Sequence, residues 1–114
     1  PEILSCTDPR ATRINIVFAK NDEIRVSPGN ASTKLRKVLR FKLTGDPART
    51  VEVKGKASDP ASAWISGSGN GGDYIYVCVD PDKVPEPGEN GTTYSYDIII
   101  PGVGVLDPEV TVRR

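Results

Sequence analysis

Two cysteines, Cys6 and Cys78, could form a disulfide, bind a metal or act in redox chemistry. The 114-residue sequence contains no histidine and no methionine. Without histidine, the chain lacks the commonest general base and the commonest transition-metal ligand. The two cysteines also lack the close pairwise spacing of structural zinc motifs. We therefore predict no metal and no cofactor. The cysteines either form a disulfide in an oxidising compartment or remain buried thiols, and a thiol-based redox role is one alternative function.

Carboxylates are the other candidates for chemistry, since they can act as acid–base groups or bind a hard cation. The richest acidic stretch surrounds Cys78 and contains Asp73, Asp80, Asp82, Glu86 and Glu89. Asp80-Pro81-Asp82 has the composition of a turn, residues 86–91 have that of a solvated hairpin connection, and no calcium-loop motif is present. We predict no catalytic residues, and we keep a hydrolase or lyase that uses Asp80 and Asp82 as a second alternative function.

Basic side chains concentrate in one run, which contains Lys34, Arg36, Lys37, Arg40 and Lys42. Alternation places Arg36, Arg40 and Lys42 on the outward face of one predicted strand. Lysine plus arginine equals aspartate plus glutamate at 15 each, so the whole chain has no field that favours a polyanion. Exposed aromatic residues are not interleaved with the basic run, and we therefore predict no nucleic-acid partner.

The glycine-rich residues 66–72 superficially resemble a phosphate-binding loop, but no Lys-Ser/Thr pair follows them. We predict a flexible connection there. Trp64, the sole tryptophan, is interpreted as a core packing residue in preference to a surface ring that stacks on a sugar. Mobile loops on a rigid scaffold commonly carry binding surfaces. The predicted partner contacts lie in this loop and in the Pro-rich loop after Cys78, at Ser68, Asn70, Asp73, Pro85, Glu86, Glu89 and Asn90.

Apolar side chains alternate with polar ones through most of the chain, which is the pattern of half-buried strands. Ile14, Ile16 and Phe18 share one face, and Tyr94, Tyr96, Ile98 and Ile100 share another. Asp-Pro and Pro-Gly turn sequences separate the runs. The predicted strands are residues 13–18, 23–26, 34–44, 51–53, 63–66, 74–79, 92–100 and 109–113. We predict an all-β, two-sheet Greek-key sandwich of about seven to eight strands, formed by one domain over residues 1–114.

Two family resemblances agree with this fold. The sequence Asp73-Tyr74-Ile75-Tyr76-Val77-Cys78 resembles strand F of immunoglobulin domains, in which a tyrosine lies two residues before the second cysteine. Residues 91–97, Gly102 and residues 106–112 resemble small bacterial cupredoxin-like sandwich domains. Where copper cupredoxins carry their ligand loop, this chain has residues 98–105, which contain no copper ligand. The cupredoxin resemblance implies the fold and an exported setting, without electron transfer.

The sequence has a regular pattern of strands and turns and no recognisable set of catalytic residues, which indicates a non-catalytic binding or structural module. We expect it to be exported to the periplasm or the cell exterior and to present loops to a protein or cell-envelope partner. No membrane span is predicted, because the longest apolar candidate, residues 98–100, stops at Pro101-Gly102.

Overall fold

The computed structural model describes residues 6, 10–18, 24–45 and 49–114. These residues form ten β-strands and one short 3₁₀ turn, Pro60–Ala63. The strands are β1 (Ala11–Phe18), β2 (Ile24–Ser27), β3 (Asn30–Lys34), β4 (Val38–Thr44), β5 (Thr50–Gly55), β6 (Ser66–Asn70), β7 (Tyr74–Cys78), β8 (Thr92–Ile100), β9 (Gly104–Leu106) and β10 (Glu109–Arg113). No helix in these ranges has the length and apolar character that crossing a membrane requires.

The strands form two sheets. The four-stranded sheet has the order β2-β1-β4-β7, and the six-stranded sheet has the order β3-β10-β8-β5-β6, with β9 paired to β8. Two pairs are parallel, β1 with β4 and β3 with β10, and the other pairs are antiparallel. The β1–β2 hairpin is confirmed, although Glu23 and the polar residues 20–22 before it lie outside the described part of the chain.

The core lies between the two sheets and is built by the alternation seen in the sequence. Leu39, Phe41 and Leu43 point inward from β4 and are at most 1% exposed. From the opposite sheet, Tyr96 places its ring edge-on to Phe41, with the ring centroids 5.8 Å apart. Ile14 is fully buried beside them. The all-β sandwich is thereby confirmed; the side chain of Phe18 lies outside the described part.

The predicted strand over residues 34–44 is wrong, because the chain changes sheets in its middle. Lys34 ends β3 in the six-stranded sheet and Val38 begins β4 in the four-stranded sheet. The turn between them places Arg36 at a positive φ of 73°, and the Arg36 N–H donates to the Val79 carbonyl at 2.9 Å. Continuous alternation in the sequence does not mark this crossing, since both strands bury alternate residues.

The predicted strand around Trp64 is also wrong. The Asp59 carboxylate accepts a hydrogen bond from the Ala61 N–H at 2.9 Å, and Pro60 occupies the start of the 3₁₀ turn. Capping and proline together favour a turn here. Trp64 follows the turn and is 6% exposed, with its ring edge-on to Tyr94 at a centroid distance of 5.3 Å. The interpretation of Trp64 as a core residue is confirmed.

Glycine brings two parts of the sandwich into close contact. A Cβ atom at Gly55 would overlap the backbone carbonyl of Ala61, so the 3₁₀ turn can pack directly on β5. A Cβ atom at Gly67 would overlap the Ile75 side chain, where β6 of one sheet approaches β7 of the other. The glycine-rich segment is therefore a strand at a sheet edge, and the prediction of a flexible connection is wrong for residues 66–70.

Candidate functional site

A group of exposed tyrosines and cations lies on the outer surface of the four-stranded sheet. We call it the tyrosine–cation face, and it consists of Arg13, Arg40, Lys42, Tyr74 and Tyr76. Tyr76 is 62% exposed and Tyr74 is 46% exposed, the former being the most exposed large apolar side chain in the described chain. The residues that alternate with them along β4 and β7 point into the core and hold the backbone in place. These are Leu39, Phe41, Ile75 and Val77, which are at most 3% exposed.

Strand register places the members of this face beside one another. Arg40 of β4 is paired with Tyr76 of β7 on one side and with Arg13 of β1 on the other. Lys42 is paired with Tyr74 in the next outward row. Because side chains two apart on a strand point to the same face, all five project from one surface. The face is thus built from three strands that are distant in sequence.

The two tyrosine rings and Arg40 contact each other. The rings of Tyr74 and Tyr76 have centroids 6.2 Å apart and planes 28° apart, which is a stacked arrangement. The guanidinium carbon of Arg40 lies 5.4 Å from the Tyr74 ring centroid, within the range of a cation–π contact. These contacts restrict the rotamers of both tyrosines.

The described charged residues on the strands of this surface are all cations. Within the described residues, Arg13, Arg40 and Lys42 form no ion pair. The outward positions of β1, β2, β4 and β7 contain no aspartate or glutamate in the same ranges. The chain is neutral as a whole, yet this face has a local excess of positive charge.

Two predictions about the basic run need correction. Arg40 and Lys42 do point outward from one strand, but Arg36 lies in the turn between β3 and β4. The statement that exposed aromatic rings are not interleaved with these cations is wrong, because Tyr74 and Tyr76 reach the same surface from a different strand. The absence of a nucleic-acid partner stays a prediction.

The predicted partner-contact residues fall in two places. Ser68 and Asn70 are exposed but belong to β6, which corrects their assignment to a loop, and Asp73 lies in the turn before β7. The Asp73 carboxylate accepts a hydrogen bond from the Asn70 N–H at 2.9 Å and so closes the β6–β7 turn. A role of these three residues in partner contact stays a prediction.

The loop before β8 carries the other predicted contacts. Pro85, Glu86, Glu89 and Asn90 are all exposed. The loop is held to the sandwich by hydrogen bonds from the Gly88 N–H to the Thr92 hydroxyl at 3.2 Å and from the Arg114 side chain to the Pro87 carbonyl at 3.1 Å. A role of this loop in partner contact also stays a prediction.

Asp80 stabilises a turn. Its carboxylate accepts a hydrogen bond from the Asp82 N–H at 2.9 Å, and its carbonyl accepts from the Lys83 and Val84 N–H groups at 3.0 and 2.8 Å. This is the turn that the sequence Asp-Pro-Asp predicts. Among the described residues, no three Cys, Asp or Glu side chains are grouped so that they would hold a metal ion.

Sequence reasoning missed an ionic cluster between β5, β8 and the β9–β10 connection. The ammonium of Lys56 lies 2.7 Å from Asp97 Oδ1 and 2.5 Å from Asp107 Oδ1. Hydrogen bonds to Asp107 and then Asp97 raise the pKa of Lys56, so the side chain remains a cation and not a nucleophile. The three residues are far apart in sequence, and only the pairing of β5 with β8 brings Lys56 and Asp97 together.

Cys6 and Cys78 form a disulfide, which decides between the two states that the sequence left open. Their Cα atoms are 5.7 Å apart, and the bond joins the segment before β1 to the end of β7. No free cysteine remains in the described chain, so thiol chemistry would first require reduction of this bond.

Comparison with known proteins gives one structural match. No family model matches the chain, and no curated protein does so either. Auracyanin A, a blue copper protein from the green thermophilic photosynthetic bacterium Chloroflexus aurantiacus, has a similar structure, with a TM-score of 0.50 and 18% sequence identity. The match covers 91% of this chain and 100% of that chain. The fold is therefore cupredoxin-like, as one of the two resemblances implied; Tyr76, on which the immunoglobulin resemblance partly rests, points away from the core.

The donor set of this chain does not fit a blue-copper centre. Such centres use two histidines and a cysteine thiolate. This sequence has no histidine, and both cysteine sulfurs are joined in the disulfide. The fold is shared with a copper protein while the copper ligands are not.

Proposed function

We propose that this chain is a non-catalytic, exported binding module that holds an anionic partner of the cell envelope on its tyrosine–cation face. The observation that supports this most is the juxtaposition of exposed Tyr76 and Tyr74 with Arg40, Lys42 and Arg13, on strands whose described residues include no aspartate or glutamate. The proposal moves the expected contact surface from the loops to the outside of the four-stranded sheet.

The chemistry of this face suits reversible binding. Tyrosine and arginine contribute strongly at binding surfaces because they combine a large apolar area with hydrogen-bonding groups. Arg40 and Tyr74 already contact each other, so a partner finds part of the surface ordered before it binds. Less side-chain entropy is then lost on association.

The disulfide supports the exported setting. Such bonds form and persist in oxidising compartments and are rare in the cytosol. The Cys6–Cys78 bond closes a separation of 72 residues, so it constrains most of the chain. A module outside the cytoplasm would meet anionic surfaces of the cell envelope directly.

The test compares two lysines on the opposite outer surfaces of the sandwich. Lys42 lies on the tyrosine–cation face, and Lys54 lies near the end of β5 on the outside of the other sheet. Binding of poly-L-glutamate and of polygalacturonate is measured by calorimetry at low salt with Lys42→Ala and Lys54→Ala. We expect Lys42→Ala to weaken binding roughly two- to fivefold, the contribution of one exposed charge pair, and Lys54→Ala to leave it unchanged.

Each variant removes one exposed positive charge; the Lys54 ammonium lies 3.9 Å from the Glu52 carboxylate, whereas Lys42 forms no ion pair among the described residues. Equal losses would mean that the polyanions respond to total charge and not to this face. Failure of both polyanions to bind the wild-type protein would reject the proposed function. Raising the salt concentration should weaken any binding seen, because exposed charges are screened.

A further inference from the structure

We propose that the anionic partner is an acidic polysaccharide, in which each sugar presents both an apolar ring face and a carboxylate or sulfate. This inference rests on the proposed function and names the class of ligand for the same face. In this arrangement one sugar stacks on the Tyr76 ring while its acidic group pairs with Arg40. The next acidic groups along the polymer pair with Arg13 or Lys42.

The ring contacts favour a single sugar platform. Tyr74 is already contacted by the Tyr76 ring and by the Arg40 guanidinium, whereas Tyr76 is 62% exposed. Tyr76 therefore offers an open ring whose hydroxyl can also bond to the hydroxyls of a sugar. A pyranose has a matching face of C–H groups with hydroxyls around its edge.

The positions of the cations match a polymer with a repeated charge. Arg40 is the direct cross-strand neighbour of Tyr76, and Arg13 is the neighbour of Arg40 on the next strand. Neighbouring strands are about 4.8 Å apart, so one outward row presents a ring and two positive charges at regular short intervals. A planar guanidinium pairs with a carboxylate or sulfate through two hydrogen bonds.

The size of the face argues against a folded protein as the partner. Three strands and two outward rows cover on the order of 200 Å² in projection. A stable protein–protein interface needs about 800 Å² on each partner. A few residues of an extended polymer cover this area, and a peptide of acidic residues alone would leave the Tyr76 ring without a matching group.

Single-stranded nucleic acid also combines rings with negative charge, but it fits the arrangement less well. Proteins that bind it commonly stack successive bases on several exposed rings. Here the Arg40 guanidinium lies over the second ring, Tyr74, which leaves Tyr76 as the more open ring. The disulfide in addition favours a compartment outside the cytoplasm.

The test uses four probes that separate ring from charge. Polygalacturonate has both, its methyl ester keeps the ring and loses the charge, poly-L-glutamate keeps the charge and has no ring, and oligo-dT carries bases and phosphates. Affinities per monomer unit of each polymer are measured by calorimetry for the full chain with its disulfide intact. We expect polygalacturonate to bind roughly tenfold more tightly than the ester or poly-L-glutamate, the gain from adding one stacking or charge-assisted contact.

Tyr76 provides the matched variants. Tyr76→Ala should remove the preference of the protein for polygalacturonate over poly-L-glutamate, while Tyr76→Phe should keep most of it. Because Tyr76 is largely exposed, thermal unfolding should show both variants folded. A preference that survives in Tyr76→Ala would overturn the inference.

The remaining outcomes are also distinguishable. If poly-L-glutamate binds as tightly as polygalacturonate and Lys42→Ala weakens both, the inference fails and the proposed function stands. Tighter binding of oligo-dT would identify a nucleic-acid surface and reject the polysaccharide. If no probe binds, the proposed function is rejected, and the inference about the polysaccharide is rejected with it.

Discussion

Removal of the disulfide by Cys6→Ser with Cys78→Ser should cost this chain much of its stability. The bond spans 72 residues. In the chain-entropy treatment, a cross-link that closes a loop of this length lowers the entropy of the unfolded chain enough to contribute about 4 kcal/mol at 25 °C. Domains of this size are stable by only about 5–15 kcal/mol, so the loss is large.

Urea denaturation and thermal unfolding, each followed by circular dichroism, measure this effect, with the wild-type protein compared in its oxidised and reduced states. We expect the double variant to match the reduced wild type and to unfold about 15 °C below the oxidised protein. The two single variants should lose similar amounts, because either one breaks the bond. A double variant that loses less than about 1 kcal/mol would refute the view that the bond restricts the unfolded chain.

Two further predictions concern the core. Gly55→Ala should lower the free energy of unfolding by about 2 kcal/mol or more, because the new methyl group overlaps the Ala61 backbone. Gly29→Ala meets no atom within 4 Å and should change it by less than about 0.5 kcal/mol. Similar urea midpoints for the two variants would contradict this packing. Burial raises the pKa of Tyr96, so the folded chain keeps this proton while the unfolded chain releases it above about pH 10, and stability falls by up to about 1.4 kcal/mol per pH unit from there. Tyr96→Phe should lessen this alkaline loss between pH 8 and 11; a pH profile equal to that of the wild type would show that Tyr96 is not shielded.

Much of the architecture is readable from the sequence because side-chain alternation reports burial directly. Strand β8 occurs at its predicted bounds, Thr92–Ile100, since four large apolar residues occupy every second position from Tyr94 to Ile100. Strand β6 escaped prediction because Ser and Gly carry no such alternation. What makes it a strand is its antiparallel pairing with β5, a tertiary contact, and Gly67 leaves room for Ile75 of the other sheet.

The candidate site was less predictable for a similar reason. Tyr74 and Tyr76 alternate with buried Ile75 and Val77, so the sequence does contain a signal that both tyrosines point outward. Their proximity to Arg40 depends on the antiparallel pairing of β7 with β4, two strands that are far apart in sequence. Such pairing is decided by packing of the whole sandwich, which no local pattern contains.

Chemical-shift mapping of the ¹⁵N-labelled protein with oligogalacturonate tests the central claim most directly. If the ligand binds the tyrosine–cation face, the amide signals of β4 and β7 should shift most, with smaller changes in β1. The signals of residues 84–91 and of β5 should stay in place. Shifts confined to residues 84–91 or to the β6–β7 turn would contradict the claim and return the contact surface to the loops.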